Sequence, residues 1–225
     1  MIVVTGSSRG LGLAICERLH SLGVDVFGLS RDVSNATFPS MSCDVSSYED
    51  VKKVVLTLKK EDKKVSGLVN AAGIASMNLA VTTPPTVSQK IIETNLLGTI
   101  FCCQLIAPLM MRNKCGSIMN FSTIAVSLGL KGESVYAASK AGVEGFTRSF
   151  AREMADFNIN VNCIAPGPID TSLLKGITIN QINKIVSQQI IPKQFSPDAI
   201  CDLVELLLDA RSNSLSGQVL HVGGA

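Results

Sequence analysis

Short runs of apolar, often β-branched residues alternate along the chain with longer stretches whose apolar positions recur every three or four residues. The strand-like runs are residues 2–5, 24–29, 41–43, 67–70, 117–121, 159–164 and 218–222. Helical spacing shows in Leu11, Ala14, Ile15, Leu19 and Leu22, and again in Leu203, Leu206 and Leu207. The strand runs are apolar almost without interruption, so both faces of each must be covered, as in a parallel sheet wrapped by helices. Seven such runs joined by helical crossovers predict one doubly wound α/β domain over residues 1–225, a seven-stranded parallel sheet with helices on both faces. The link between residues 31 and 41 departs from this pattern. It is too short for a crossover helix and Pro39 interrupts it, so that edge of the sheet is expected to be more open.

Composition narrows the chemistry. With 225 residues, 46% apolar and 17% charged, the chain can build a sizeable core in one large domain. A formal charge of +2 gives no reason to expect a nucleic-acid or membrane partner. Only two histidines (His20, His221) and two tyrosines (Tyr48, Tyr136) are present, so a His-centred triad or multi-His metal site is excluded and no metal is expected. Seven cysteines form no C-x-x-C pair and read as small buried hydrophobes in a reducing compartment. No basic leader with an apolar stretch precedes the first strand run, and the most apolar window, residues 100–111, contains Gln104 and Pro108 and is too short to span a bilayer. A soluble cytoplasmic protein is expected.

The first turn offers a place for a dinucleotide. Thr5-Gly6-Ser7-Ser8-Arg9-Gly10-Leu11-Gly12 lies directly between the first strand and the first helix. Gly6 permits a tight turn, Gly10 a close backbone approach and Gly12 close packing of helix on sheet, while free amides at the helix start face a pyrophosphate. The spacing is G-x-x-x-G-x-G, and glycine in such a turn also has a purely steric explanation. At the end of the second strand, where an acid would hold ribose hydroxyls, stand Leu29-Ser30-Arg31. An arginine fork at Arg31, aided by Arg9, suits a 2′-phosphate, so NADP(H) is preferred and NAD(H) remains possible. Asp32 becomes the ribose acid if the strand ends later, and Arg31 is then a solvated loop charge.

Tyr136-Ala137-Ala138-Ser139-Lys140 puts a phenol and an ammonium on one helix face. Tyr48-Glu49-Asp50-Val51-Lys52 repeats the spacing, but its charged neighbours are those of a solvated helix start. Small residues surround Tyr136 and allow a ligand or a second helix to come close, so Tyr136 is the candidate.

These features occur in order with Cys43-Asp44-Val45, Asn70-Ala71-Ala72-Gly73, Asn95 within Glu93-Thr94-Asn95-Leu96-Leu97-Gly98, Pro166-Gly167-Pro168-Ile169-Asp170-Thr171 and Ser216-Gly217-Gln218-Val219-Leu220-His221-Val222. Over essentially its whole length the chain resembles the short-chain dehydrogenase/reductase family, a Rossmann-fold family, and within it most of all the 3-oxoacyl-[acyl-carrier-protein] reductases of fatty acid biosynthesis. Many small-alcohol and sugar dehydrogenases share the same motifs.

The resemblance implies roles. Tyr136 is the general acid that protonates a ketone oxygen, with its pKa drawn down by Lys140 and the oxidised nicotinamide. Lys140 also holds the nicotinamide ribose. Asn95 lies in a local helix distortion whose carbonyl carries a relay water. The usual serine, 13 residues before the tyrosine, is replaced by Thr123, with Ser122 in reserve as the substrate's hydroxyl donor. Asp44 and Val45 border the adenine, Asn70, Ala71 and Gly73 the adenosine ribose, and Pro166, Gly167, Ile169 and Thr171 the carboxamide. Residues of the turn from Gly6 to Gly12, namely Ser7, Ser8, Arg9, Gly10 and Leu11, contact the phosphates. Residues 171–196 form a substrate lid whose isoleucines (177, 179, 182, 185, 190, 191) suit an acyl chain. Lys175, Lys184, Lys193, Arg112 and Lys114 are available to an acidic carrier. Residues 141–154, with Gly142 and Gly145 beside Phe146 and Phe150, suit pairing in a dimer or tetramer. The implied activity is NADPH-dependent reduction of a 3-oxoacyl thioester. The alternatives are a sugar, polyol or small-alcohol dehydrogenase, and a non-catalytic dinucleotide sensor that rests on Thr123 alone.

Overall fold

The computed structural model describes residues 1–171 and 178–224. Each apolar run forms a strand within two residues of its expected ends: β1 (Ile2–Thr5), β2 (Val26–Ser30), β3 (Ser40–Ser42), β4 (Gly67–Asn70), β5 (Gly116–Phe121), β6 (Ile159–Pro166) and β7 (Val219–Val222). They pair in parallel in the order β3-β2-β1-β4-β5-β6-β7. Every residue of β1, β2 and β4 is buried, which is why these strands show no polar alternation.

The pleat splits each strand between two cores. Val3, Leu68 and Ile118 face α2 (Tyr48–Lys60), α4 (Gly98–Met111) and α6 (Ser134–Ala155). Their neighbours Val4, Val69 and Met119 face α1 (Gly10–Ser21) and α8 (Pro197–Leu208). Arg18 clasps the second layer, binding Asp198 at 2.8 Å, Asp202 at 3.0 Å and Glu205 at 2.9 Å. Two residues of the helical stripes are exposed instead of buried. Leu22 is the C-terminal cap of α1, and Leu206 lies on the outer side of α8.

Two further expectations change. α3 (Pro85–Ile92), a π-helical turn (Glu93–Leu97) and α4 form one helix, Pro85–Met111, of 27 residues, which by length and composition alone is apolar enough to cross a membrane. The 12-residue window understated this length. Ile91, Asn95, Thr99, Cys102, Ile106 and Met110 are nonetheless buried along it, in the manner of a core helix. The link after β2 has no helix, as its length required, but it is not left open. Phe38 is buried there against Gly28, where an added Cβ would come within 2.6 Å of the ring.

The sheet order reverses between β1 and β4, so a crevice opens at the carboxyl ends of the strands. Thr5, Ser30, Asn70, Phe121 and Pro166 all end strands at that edge.

Candidate active site

The turn after β1 is built for backbone approach. Gly6 and Gly10 have φ of +71° and +59°, a region that penalises any Cβ. An added Cβ on Gly6 would lie 2.9 Å from the Ala72 backbone, and one on Gly12 would run into the Gly6 carbonyl. α1 starts at Gly10 with no side chain capping it, since Arg9 is extended and points no acceptor at the first turn. The amides of Gly10, Leu11 and Gly12 therefore lack intrahelical acceptors and stand at the positive end of the helix dipole, a fit for a phosphate group. Ser7 is buried; Ser8 and Arg9 are exposed.

At the neighbouring strand ends, Arg31 is exposed and the buried Ser30 hydroxyl donates to the Asp32 carbonyl at 2.6 Å. Asp32 accepts from the Ser34 amide at 3.0 Å, which holds its carboxyl below the usual range. Its carboxylate is thereby engaged in a local turn.

Three residues expected at the cofactor have side chains engaged within the protein. Asp44 accepts from the amide and hydroxyl of Ser46 at 3.0 and 2.6 Å. Val45 is buried and packed on Gly98. Asn70 turns inward, donating to Asn120 at 2.8 Å in a chain that continues from Asn120 to Thr147 at 2.9 Å. Ala71 stays beside the turn, its carbonyl 3.0 Å from a Cβ placed on Gly6.

Asn95, fully buried, occupies the π-turn. Its side chain accepts from the Ile74 amide at 2.8 Å and donates to the Ile74 carbonyl at 2.9 Å and the Ser139 hydroxyl at 3.1 Å. Its own carbonyl accepts the Thr99 hydroxyl at 2.8 Å, which occupies one lone pair of the proposed relay position. Ser139 then donates to the Tyr136 carbonyl at 2.7 Å, tying the π-turn to the first turn of α6. A Cβ on Gly73 would sit 3.3 Å from Asn95 Oδ1 and 3.5 Å from Lys140 Nζ, so glycine keeps the lysine reachable.

Tyr136 and Lys140 are both buried, and their electrostatics differ from the expectation. Burial pushes the Tyr136 phenol up from its ordinary value of 10, the nearby Glu133 charge pushes it further, and a hydrogen bond from Thr123 draws it partly back. The Lys140 ammonium donates to the Phe121 carbonyl at 2.8 Å. Burial pulls Lys140 itself down from 10.5 to about 8, against a small opposing effect of Cys163.

The adjacent Ser122 and Thr123 separate cleanly. Ser122 is buried and donates to Glu144 at 2.7 Å, whose other oxygen pairs with Arg148 at 3.3 Å. It is therefore not the substrate's donor. Thr123 lines a pocket together with Tyr136, Leu11, Ile124, Pro166, Gly167, Pro168, Ile169 and Thr171. That pocket joins the tyrosine to the glycine turn and to the stretch that follows β6. α7 (Ile179–Val186), held by a Thr178–Gln181 capping box, closes the pocket with Ile182 and Ile185, whereas Ile179, Ile190 and Ile191 are exposed. Lys175 and Ile177 lie outside the described residues. Arg112 and Lys114 follow α4 and precede β5, so they lie at the amino edge of the sheet, opposite the pocket.

Spacing alone missed Ser139, Glu133 and Gln189. Ser139 lies inside the Tyr136 motif, and Glu133 three residues before it. Gln189 is buried and donates to the Lys193 carbonyl at 2.9 Å. A Cβ on Gly167 would collide with its carbonyl, so glycine there lets the lid segment seat against the turn after β6. Among the described residues no group of three or more His, Cys, Asp or Glu is placed to hold a metal. Burial pushes the thiols of Cys16, Cys43, Cys103 and Cys163 up to about 12, which leaves them unreactive.

A family model described as enoyl-(acyl carrier protein) reductase matches residues 6–224. The 3-oxoacyl-[acyl-carrier-protein] reductase FabG of Vibrio cholerae is 33% identical over 231 residues, covering 99% of this chain and 95% of that protein. FabG of Staphylococcus epidermidis is 31% identical, with 99% and 96% covered. Among solved structures, ligand-free aldohexose dehydrogenase from Thermoplasma acidophilum superposes with a TM-score of 0.89 at 31% identity, over 99% of this chain and 92% of that one. ElxO with NADP bound gives 0.88 at 28% identity, over 98% and 96%.

Proposed function

Because the chain belongs to the short-chain dehydrogenase/reductase family of oxidoreductases, we propose that it is an NADPH-dependent carbonyl reductase acting on a 3-oxoacyl thioester. One observation carries the reading: a buried tyrosine, hydrogen-bonded to Thr123, in a largely apolar pocket that also touches the glycine turn.

The nicotinamide dinucleotide supplies the hydride when bound. The amides of Gly10, Leu11 and Gly12 hold its pyrophosphate, and Arg31 with Arg9 holds a 2′-phosphate. Thr123 and Tyr136 bind the carbonyl oxygen, and Tyr136 gives it a proton. Its raised pKa suits this direction, because the phenol stays in the acid form at neutral pH. Lys140 turns from the Phe121 carbonyl toward the ribose, an approach that Gly73 leaves open. The isoleucines of α7 exclude water over an acyl chain.

Two variants test the cofactor side. Gly12→Ala should weaken NADPH binding at least about tenfold in a fluorescence titration, because the displaced helix start misplaces the amides. An unchanged affinity would remove the turn from the site. Arg31→Asp should cut kcat/KM for NADPH roughly 30-fold while NADH is spared or improved. Equal loss with both cofactors would make Arg31 a solvated loop charge.

The second reading, a sugar, polyol or small-alcohol dehydrogenase, keeps the same chemistry. It is favoured by one carboxylate, Glu133, in the apolar pocket wall, and by the resemblance to aldohexose dehydrogenase. Assaying acetoacetyl thioester, aldoses and simple ketones side by side, with NADPH and NADH in parallel, separates the two readings. Cytoplasmic location and a dimer or tetramer formed through α6, where Ala141 and Gly145 are exposed, belong to the same proposal, and light scattering checks the assembly.

A further inference from the structure

The pocket beside Tyr136 is walled by Leu11, Ile124, Leu130, Ile169, Ile182 and Ile185, yet one carboxylate lines it as well. Glu133 precedes α6 directly and stands three residues before Tyr136, so the two side chains project from the same end of one helix. It occupies the cap position, but its side chain makes no cap bond there. Among the described residues its carboxylate has no hydrogen bond and no ion pair. The group is half-buried, and burial raises its pKa. Its charge also acts on the phenol beside it. An uncompensated carboxylate in an apolar wall is unfavourable, and glutamine or leucine would fill the same space without that cost. Among the described residues no side chain pairs with the charge. A substrate that brings a hydrogen-bond donor to it would satisfy it, and the bond would be of the stronger, charge-assisted kind.

We propose that Glu133 selects the substrate, accepting a hydrogen bond from a donor carried a few atoms away from the carbonyl that Tyr136 protonates. The proposal rests on the carbonyl-reductase reading above. The donor has two chemical sources, the amide N–H of a pantetheine-like thioester arm or a hydroxyl close to the ketone. Glu133 is thus a specificity residue for the reaction as well as a charge near the acid.

The test uses matched substrates that differ in the donor. Acetoacetyl-N-acetylcysteamine is compared with S-pentyl acetothioacetate, a thioester of similar length without the amide, and hydroxyacetone with 2-butanone, in wild type, Glu133→Gln and Glu133→Leu. In Glu133→Leu the preference for the donor-bearing member of one pair should fall roughly 10- to 100-fold, mostly through KM. The pair that responds identifies the donor. Glu133→Gln keeps an acceptor oxygen and the size of the side chain, so it should retain part of the preference and guards against misfolding of the leucine variant. Preferences unchanged in both pairs, or a uniform change of kcat across all four compounds, would overturn the proposal, because either is what a charge acting only through Tyr136 produces. If wild type reduces none of the four, the carbonyl-reductase reading fails. The same pairs are then titrated by NMR against wild type and Glu133→Leu, where lost discrimination supports the Glu133 assignment and retained discrimination rejects it.

Discussion

Tyr136→Phe is expected to lower kcat by about a thousandfold while leaving NADPH affinity within about twofold, the loss lying in the range of one positioned general acid. The ring is buried in the first turn of α6, and phenylalanine keeps its volume and packing. What is removed is the proton donor and its hydrogen bond with Thr123. The measurement pairs steady-state NADPH oxidation with a binding titration on the same preparation, so a failure to fold would appear as lost cofactor binding. Full activity on a competent ketone would end the mechanism. The pH dependence has a defined sign as well. Burial and the Glu133 charge hold the phenol above its ordinary value, so the acid form needed for reduction persists through neutral pH. Oxidation of the matching alcohol needs the phenolate and should keep climbing with pH through and beyond the ordinary phenol value of about 10.

Lys140→Met should separate stability from activity. The ammonium is buried, and its pKa is pulled from 10.5 to about 8, which at about 1.36 kcal/mol per unit means that the fold carries a penalty of roughly 3 kcal/mol for keeping the charge. Below about pH 8 native and unfolded chains are both protonated and the whole penalty applies. Between about 8 and 10.5 the native lysine is neutral while the unfolded one still binds its proton, so stability rises with pH across that window. Methionine removes the charge but leaves the Phe121 carbonyl without its 2.8 Å donor, at a cost of about 1 kcal/mol. The variant should therefore be about 2 kcal/mol more stable at pH 7 by urea unfolding. That gain should vanish toward pH 10.5, and turnover should be lost by about a hundredfold. A variant less stable than wild type at pH 7 would contradict the burial argument.

The strands were legible because burial on both faces leaves a mark in every residue: residues 2–5 and 67–70 have the same bounds in sequence and structure. The crowded glycine turn was legible for a similar reason, since Gly6 and Gly12 answer to backbone contacts only a few ångströms away. Leu22 and Leu206 keep the helical period yet lie exposed, because periodicity marks a helical stripe and not where the helix ends or how far its neighbour reaches. Spacing favours Thr123, 13 residues before Tyr136, and keeps Ser122 in reserve. The pleat at the end of β5 sends one hydroxyl to Glu144 and the other to the pocket. Arg112 and Lys114 share only their charge with the lid lysines, since chain direction puts them at the far edge of the sheet.

The sequence by itself determined the doubly wound α/β architecture, the turn that offers amides to a phosphate, and the choice of Tyr136 over Tyr48. Each depends on short-range quantities: apolar period, glycine at a strained turn, and the character of residues one helical turn away. Only the tertiary structure decided which polar groups face the pocket and in what state they are held. Asn70 is spent on Asn120, 50 residues away, Lys140 on the Phe121 carbonyl, and Glu133 is left beside the phenol with no partner among the described residues. Side-chain direction and desolvation are set by contacts between distant segments, and no local pattern carries them.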